Sequence, residues 1–344
     1  MTANELVSVI IPAYKHEQYV QAAIRSAIDQ SWPHLELVAI DDGSPDGTWA
    51  AIEAMETECR ERFQRVKFLR HDNQGVCETL NRLLAEAQGE YFMRLDSDDL
   101  IKPQSIEKQL AFLREHSEYG LTVGDNEIID ETGQVVHWTA DRANTLEPAK
   151  TTFKTFGAFL RSIRPDLDFL SDDFGRHETL WGNYVPNGYL VRRRLMDGVK
   201  FSSQAPREDF FMMLQLAKRG KFKYFDEIMH SYRWHQTNNI KNPGTNAMFT
   251  NLTLKDELRR LKAAGDQDRR QRLLSSVLQW KTRIKLKIGG LELCRVMDMF
   301  DERKLYELHL GSYRWPLFEL RRNNTETRTP WRLARVRADD ELGF

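Results

Sequence analysis

From residue 6 the chain reads LVSVIIPAY, an unbroken apolar run rich in β-branched residues and closed by Pro12, which predicts a buried strand. The next segment, EQYVQAAIRSAIDQS, sets Val20, Ala23, Ile24, Ala27 and Ile28 at helical spacing. LELVAI (35–40) predicts a second strand, TWAAIEAMETECRERF a second helix, VKFLRH (66–71) a third strand and GVCETLNRLLAEAQ (75–88) a third helix. EYFMRL (90–95) predicts a fourth strand. Apolar strands alternating with helices predict a parallel sheet covered on both faces. Beyond Pro103, SIEKQLAFLREH predicts a helix, and YGLTVGDNEIID with ETGQVV predicts a strand and hairpin. YLVRRRLMD and FKYFDEIMHSYRWH supply further strand, and REDFFMMLQLAKRG (207–220) a helix closed by Gly220. Residues 141–185 mix aromatic and charged side chains without a period and are expected to form loops and short helices over a cleft. From about 250 to 344 the pattern reads as mostly helical and basic. TRIKLKI (282–288) is the exception, since it alternates apolar and basic residues with period two and fits a strand equally.

Two groups of acids fall at the carboxyl ends of predicted strands: Asp41–Asp42 in DDGSPDGT, and Asp96, Asp98 and Asp99 in RLDSDDL. Parallel sheets bind ligands outside those ends, so the two groups are expected to share a cleft. Residues two apart on an extended segment point the same way, which would turn Asp96 and Asp98 toward one pocket. Hard carboxylate oxygens suit Mg2+ or Mn2+, and Mg2+ takes only one or two protein carboxylates, with phosphates completing its shell. The plainer alternative is a solvated acidic turn in which Asp99 caps the next helix. In DDGSPDGT, Gly43 and Gly47 permit tight turns, and the loop opens a helix whose amino end favours anions. Asp41 or Asp42 would accept hydrogen bonds from a nucleobase or ribose; the simpler reading is a turn with Asp46 or Thr48 as N-cap.

The segments VSVIIPAYKHEQYVQAAIRSAIDQS, VAIDDGSPDGT, HDNQGVCETLNRLLAEAQGEYFMRLDSDD and PREDFFMML, in this order, resemble the family 2 glycosyltransferases over roughly residues 5–235. The resemblance implies a GT-A fold, an α/β domain with a central, mainly parallel sheet flanked by helices. Residues 1–245 would form that domain, with a nucleotide-binding half (1–103) and an acceptor-binding half (104–245), and 246–344 a helical basic extension. It implies an inverting enzyme that moves a sugar from a nucleotide-sugar, a UDP-sugar first, to a hydroxyl of a glycan or lipid-linked glycan in bacterial surface-polysaccharide synthesis. By position, Pro12, Ala13 and Tyr14 would line the nucleotide pocket, and Asp41 or Asp42 would meet the base or ribose. Asn73 and Gly75 would shape the loop over the nucleotide, with Asn81 and Arg82 on the following helix. Asp96 and Asp98 would be the DxD pair: Asp98 the direct ligand of Mn2+ or Mg2+, Asp96 a ribose partner or a residue at the metal, and Asp99 able to replace either. Glu208 and Asp209 would sit at the acceptor site with Asp209 as the base, and His235 would approach the metal or diphosphate. As ordinary structure, Glu208 and Asp209 would merely complement a helix amino end. Trp181, Tyr184 and Tyr189 would stack on sugar rings or simply pack a loop containing Asn187 and Gly188. His16, His71 and His137 have no partner motif and read as ordinary residues. A catalytically silent sugar-nucleotide or glycan-binding protein on the same fold is the alternative, and turnover separates the two.

Composition narrows this further. With 344 residues and 41% hydrophobic content there is room for one large domain and a smaller one. Residues 1–250 carry 29 Lys and Arg against 37 Asp and Glu, and residues 251–344 carry 21 against 14. An acidic body with a basic end suggests two modules. The basic, aromatic stretches WKTRIKLKIGG and YRWPLFELRRNN would buttress the cleft, make a homo-oligomer contact or rest peripherally on an anionic membrane. The near-neutral chain shows no nucleic-acid module, so nucleic acid is not an expected partner. A sugar-nucleotide pyrophosphorylase would need a Gly-rich loop after the first strand, and IIPAYKHEQYV has no glycine. Cys59, Cys77 and Cys294 form no CxxC pair, which predicts neither a zinc site nor disulfides and fits a reducing compartment. No basic leader precedes the first apolar run and no stretch reaches about 18 apolar residues, so neither a signal peptide nor a membrane span is expected. A cytoplasmic protein, at most peripheral on the inner face of the membrane, is the expectation.

Overall fold

A computed structural model describes residues 5–163, 168–171, 174–175, 183–238, 243–267, 269–270 and 273, and the strands 284–288, 291–297, 304–310, 313–314, 318–322 and 331–335. The chain divides into two compact units, Met1–Asn246 and Ala247–Phe344.

The first unit is organised on a ten-stranded sheet. Strands β1 (Val7–Ala13), β2 (Leu35–Asp41), β3 (Arg65–Arg70) and β4 (Tyr91–Arg94) run parallel in the order β3-β2-β1-β4. The sheet continues with β5 (Leu100–Ile101), β6 (Tyr119–Ile129), β7 (Val135–Trp138), β8 (Asn144–Thr145), β9 (Leu190–Arg192) and β10 (Lys221–Arg233). Beside β4 lies antiparallel β9, then β6, then β10 parallel to β6, then the short edge strand β5, while β7 and β8 branch from β6 as an antiparallel ribbon. The helices are α1 (Val20–Ile28), α2 (Thr48–Glu53), α3 (Glu56–Arg62), α4 (Val76–Glu86), α5 (Ser105–Glu115), α6 (Phe156–Ile163) and α7 (Glu208–Leu216). The expected single helix after residue 48 is thus two, parted at Ala54–Met55.

The strands are apolar throughout because alternate side chains serve different cores. Val7, Val9 and Ile11 of β1 and Leu37 and Ala39 of β2 pack with Val20, Ala23, Ile24 and Ala27 of α1. Ile10, Val38 and Ile40 point the other way, into a cluster with Leu80 and Leu83 of α4 and Phe211, Met212 and Leu216 of α7. Each face is buried, as a parallel sheet requires.

The C-terminal region departs from the helical expectation for 246–344. Helix α8 (Pro243–Ala263) opens it, but strands β11 (Ile284–Ile288), β12 (Leu291–Met297), β13 (Lys304–Leu310), β14 (Tyr313–Arg314), β15 (Phe318–Arg322) and β16 (Trp331–Arg335) follow, joined as an antiparallel sheet. The reason lies in the period. IKLKI, KLYELHL and FELRR alternate apolar and polar residues, which a helix would scatter around its circumference and a strand sorts onto two faces. Among the described residues no helix is long and apolar enough to cross a membrane.

Candidate active site

The carboxyl ends of β1, β2, β4 and β10 open on one side of the sheet. At the end of β1, the Ala13 carbonyl accepts the Asp42 N–H at 2.9 Å. Lys15 takes a left-handed φ of 59° and donates its N–H to Ser44 Oγ at 3.0 Å. Asp41 is wholly buried, accepts the Ser44 hydroxyl and pairs with Arg70 Nε at 3.1 Å. Asp42 accepts the N–H groups of Gln74 at 2.8 Å and Gly75 at 3.0 Å. Both aspartates therefore tie the loop after β2 to the loop after β3. The close approach needs glycine: Gly43 has φ +69°, and a Cβ there would stand 2.6 Å from the Asn73 nitrogen. Tyr14, 40% exposed, and exposed Asn73 are the open members of this rim. Asn81 is engaged through both amide atoms by the Phe201 backbone, at 3.0 and 2.8 Å.

The acidic stretch after β4 is a turn rather than an extended segment, closed by the Asp99 N–H donating to the Asp96 carbonyl at 3.0 Å. Asp96 and Asp99 consequently meet at the Asn187 amide, while Asp98 faces elsewhere. Asp96 accepts from Arg94 Nε at 2.9 Å and Asn187 Nδ2 at 3.2 Å. Asp99 is 1% exposed, and accepts from the Arg233 N–H at 2.9 Å and Asn187 at 3.0 Å, with His230 Nε2 3.0 Å away. Burial pushes its carboxyl above the usual range, with the Asp98 charge adding to the shift. Its oxygens are thus engaged by the β10 backbone and side chains and by Asn187.

Asp98 keeps different company. His235 Nε2 lies 2.9 Å and His16 Nε2 3.9 Å from its Oδ2. Burial works against its charge, but the His235 hydrogen bond and the fields of both imidazoles outweigh it and hold the carboxyl below the usual range. His16, which reads as ordinary in the sequence, is thereby a member of the site: the ligand atoms of His16, Asp98 and His235 all lie within 4.8 Å of one another. Asp96 stands outside that group. The signal missed was positional, because His16 sits just beyond the carboxyl end of β1, one strand away from Asp98. His71, the other such residue near the rim, lies 3.4 Å from Asp42.

Helix α7 brings the second acid pair. Arg94, at the end of β4, donates from Nε to Asp96 and from Nη2 to Glu208 at 3.0 Å. Among the described residues, its buried Nη1 has no hydrogen-bond partner. Burial pushes Glu208 up and the Arg94 charge opposes it, while the neighbouring Asp209 adds to the rise. Asp209 accepts from Asn183 Nδ2 at 2.8 Å and has Arg207 Nε 3.5 Å away. Arg94, Asn183 and Asn187 were not singled out as site residues in the sequence, or were read only as turn formers. Of the expected sugar-stacking aromatics, Tyr189 is 3% exposed within the core and cannot present a face to a ligand. Tyr184 packs partly buried against the same core, and Trp181 lies outside the described residues. Beside His235 opens a cavity of about 660 Å³, lined among others by Asp130, Glu131, Asp141, Arg142 and Trp234.

Residues 8–162 match the family model described as Glycosyl transferase family 2. A Bacillus subtilis protein named for a glycosyltransferase role in teichuronic acid biosynthesis, TuaG, is 41% identical over 112 residues, which are 33% of this chain and 43% of that one. The matched stretches span only 33% to 47% of the length of three such relatives. Among solved structures, S. aureus TarS 1–349 in complex with UDP-GlcNAc superposes with a TM-score of 0.54 at 18% identity, covering 80% of this chain and 73% of that one. The mannosyltransferase PcManGT of Pyrobaculum calidifontis, in complex with GDP-Man and Mn2+, gives 0.53 at 14% identity, covering 80% and 75%. At these identities the structures establish the fold, which is of the GT-A type. Residues 8–162 are thus similar to glycosyltransferase family 2 in sequence, on a fold of the GT-A type.

Proposed function

We propose that residues 1–245 form a metal-dependent, inverting glycosyltransferase domain. In this reading it moves a sugar from a nucleoside diphosphate sugar, a UDP-sugar first, to a hydroxyl of a glycan or lipid-linked glycan, at the cytoplasmic face of the membrane. The observation that carries the reading is Arg94. One guanidinium joins Asp96, beside the nucleotide rim, to Glu208 on α7, so donor-side and acceptor-side acids border one cleft. Nη1, which has no partner among the described residues, supports it further, because a buried donor without an acceptor is costly and a ligand oxygen would satisfy it.

In this reading Asp209 takes the acceptor hydroxyl's proton as that oxygen attacks the anomeric carbon from the face opposite the diphosphate. The bond from the anomeric carbon to the diphosphate oxygen breaks, and its electrons stay with the diphosphate. Asn183 holds one Asp209 oxygen in place, and Arg94 keeps Glu208 anchored beside it. A divalent cation bound at Asp98 and His235 would neutralise charge on the departing group. No second carboxylic acid is needed for such a leaving group, in contrast to glycoside hydrolysis. The role in TuaG's name supports a polysaccharide setting. UDP-GlcNAc in one structural neighbour, and GDP-Man with Mn2+ in the other, support a nucleotide-sugar donor and a metal while leaving the base open.

The test is a thermal-shift panel of UDP, GDP, CDP and dTDP, each with Mn2+, Mg2+ or EDTA. A ligand at a hundredfold excess over Kd stabilises the folded state by about 2.7 kcal/mol. One nucleotide is expected to raise Tm with metal and to lose the effect in EDTA and in Asp98→Ala. If no nucleotide shifts Tm with either metal, the donor assignment fails.

A further inference from the structure

We propose that His16 is a protein ligand of the metal, so that His16, Asp98 and His235 form a two-nitrogen, one-oxygen centre that prefers Mn2+ or a later transition metal to Mg2+. The inference deepens the reading above and rests on its metal site. Three strands converge to build the group, since His16 follows β1, Asp98 follows β4 and His235 follows β10. With bonds of about 2.1 Å, neighbouring donors of an octahedral ion stand about 3.0 Å apart and opposite donors about 4.2 Å. The observed 2.9 Å to His235 is close to the first of these, and the 3.9 Å to His16 lies between the two.

The rings are also held as ligand rings are. His16 Nδ1 lies 2.8 Å from Ser97 Oγ, and His235 Nδ1 lies 2.8 Å from Thr237 Oγ1. Each hydroxyl thus engages the nitrogen remote from Asp98 and leaves Nε2 directed at the carboxylate, and by accepting from Nδ1–H it would orient the ring as the outer partners of metal-binding histidines do. Tyr19 walls both rings, with centroids 5.9 Å from His16 and 5.0 Å from His235. Two imidazoles among three donors disfavour Mg2+, which prefers oxygen, and suit borderline metals. Two neutral ligands and one carboxylate would also leave a dication with a net positive charge, free to attract a diphosphate.

The test is metal binding to the whole chain without nucleotide. Titration calorimetry would compare Mn2+ with Mg2+, and the visible spectrum of added Co2+ would report nitrogen ligation. The variants are His16→Ala, whose backbone contacts persist, and Ser97→Ala, which removes only the orienting hydroxyl; Tm without metal checks folding. Mn2+ should bind at least tenfold tighter than Mg2+. His16→Ala should weaken Mn2+ by at least tenfold, leave Mg2+ little changed and alter the Co2+ spectrum. Ser97→Ala should weaken Mn2+ by a smaller factor. Equal Mn2+ affinity in folded His16→Ala, or a preference for Mg2+, overturns the inference even if nucleotides bind. Metal binding as expected with no nucleotide binding would uphold this centre and sink the donor reading instead.

Discussion

Asp209 stands at the first turn of α7 with one oxygen held by Asn183, and its isostere Asn keeps the shape while removing the base. Asp209→Asn should lower turnover by about 10²–10⁴-fold with nucleotide affinity unchanged, as single-turnover kinetics beside a binding titration would show. Unimpaired turnover would remove Asp209 from the mechanism. The cysteines make a second prediction. Burial pushes the Cys59 thiol up to about 12 and the Cys77 thiol up to about 11, with Glu58 and Glu208 adding to the respective shifts. At pH 8 neither should be appreciably thiolate, so peptide mapping after iodoacetamide treatment should find both unmodified in the native protein. At this scale the sequence was legible in part. It offered Asp96, Asp98, His235, Glu208 and Asp209 as candidates and, by resemblance, Asp98 as the metal ligand, but left Asp99, which lies under His230, able to replace it. Partners in space, one or more strands away, decide that difference.

Among elements, the bend before β4 depends on a buried acid that reads as a mere interruption of an apolar strand. Glu36 of β2 is fully buried; its oxygens accept from Ser8 Oγ at 2.5 Å, from the Gly89 N–H at 2.9 Å and from Arg65 at 2.6 Å. Glu36→Ala orphans those donors and should destabilise the domain by about 3–5 kcal/mol, measured by urea unfolding. A loss below 1 kcal/mol would mean water replaces the carboxylate. The parallel strands and most of the helices were legible because apolar runs and helical spacing are local signals. The strands after residue 283 were read as mostly helix because their charged residues masked the period-two alternation that a pleated sheet needs.

On the scale of the whole chain, every candidate donor-site side chain lies at or before His235, whereas the antiparallel sheet begins at Ile284. A chain ending at Ala263, which keeps α8 whole, should bind metal and nucleotide as the full chain does, by calorimetry; a large loss would make the C-terminal sheet part of the donor site. The α/β fold of the first unit was legible because strand–helix alternation constrains topology. What the terminal unit does was not, since its basic, aromatic composition suits several roles. Within the first unit, Arg94 shares one positive charge between Asp96 and Glu208. A donor that engaged Asp96 would slacken that contact and shift the guanidinium's field toward Glu208. Coupling free energy has no direction, so whatever factor donor occupancy adds to acceptor affinity, acceptor occupancy must return to the donor. The two reactants would then sense each other's arrival through one shared residue before any bond is broken.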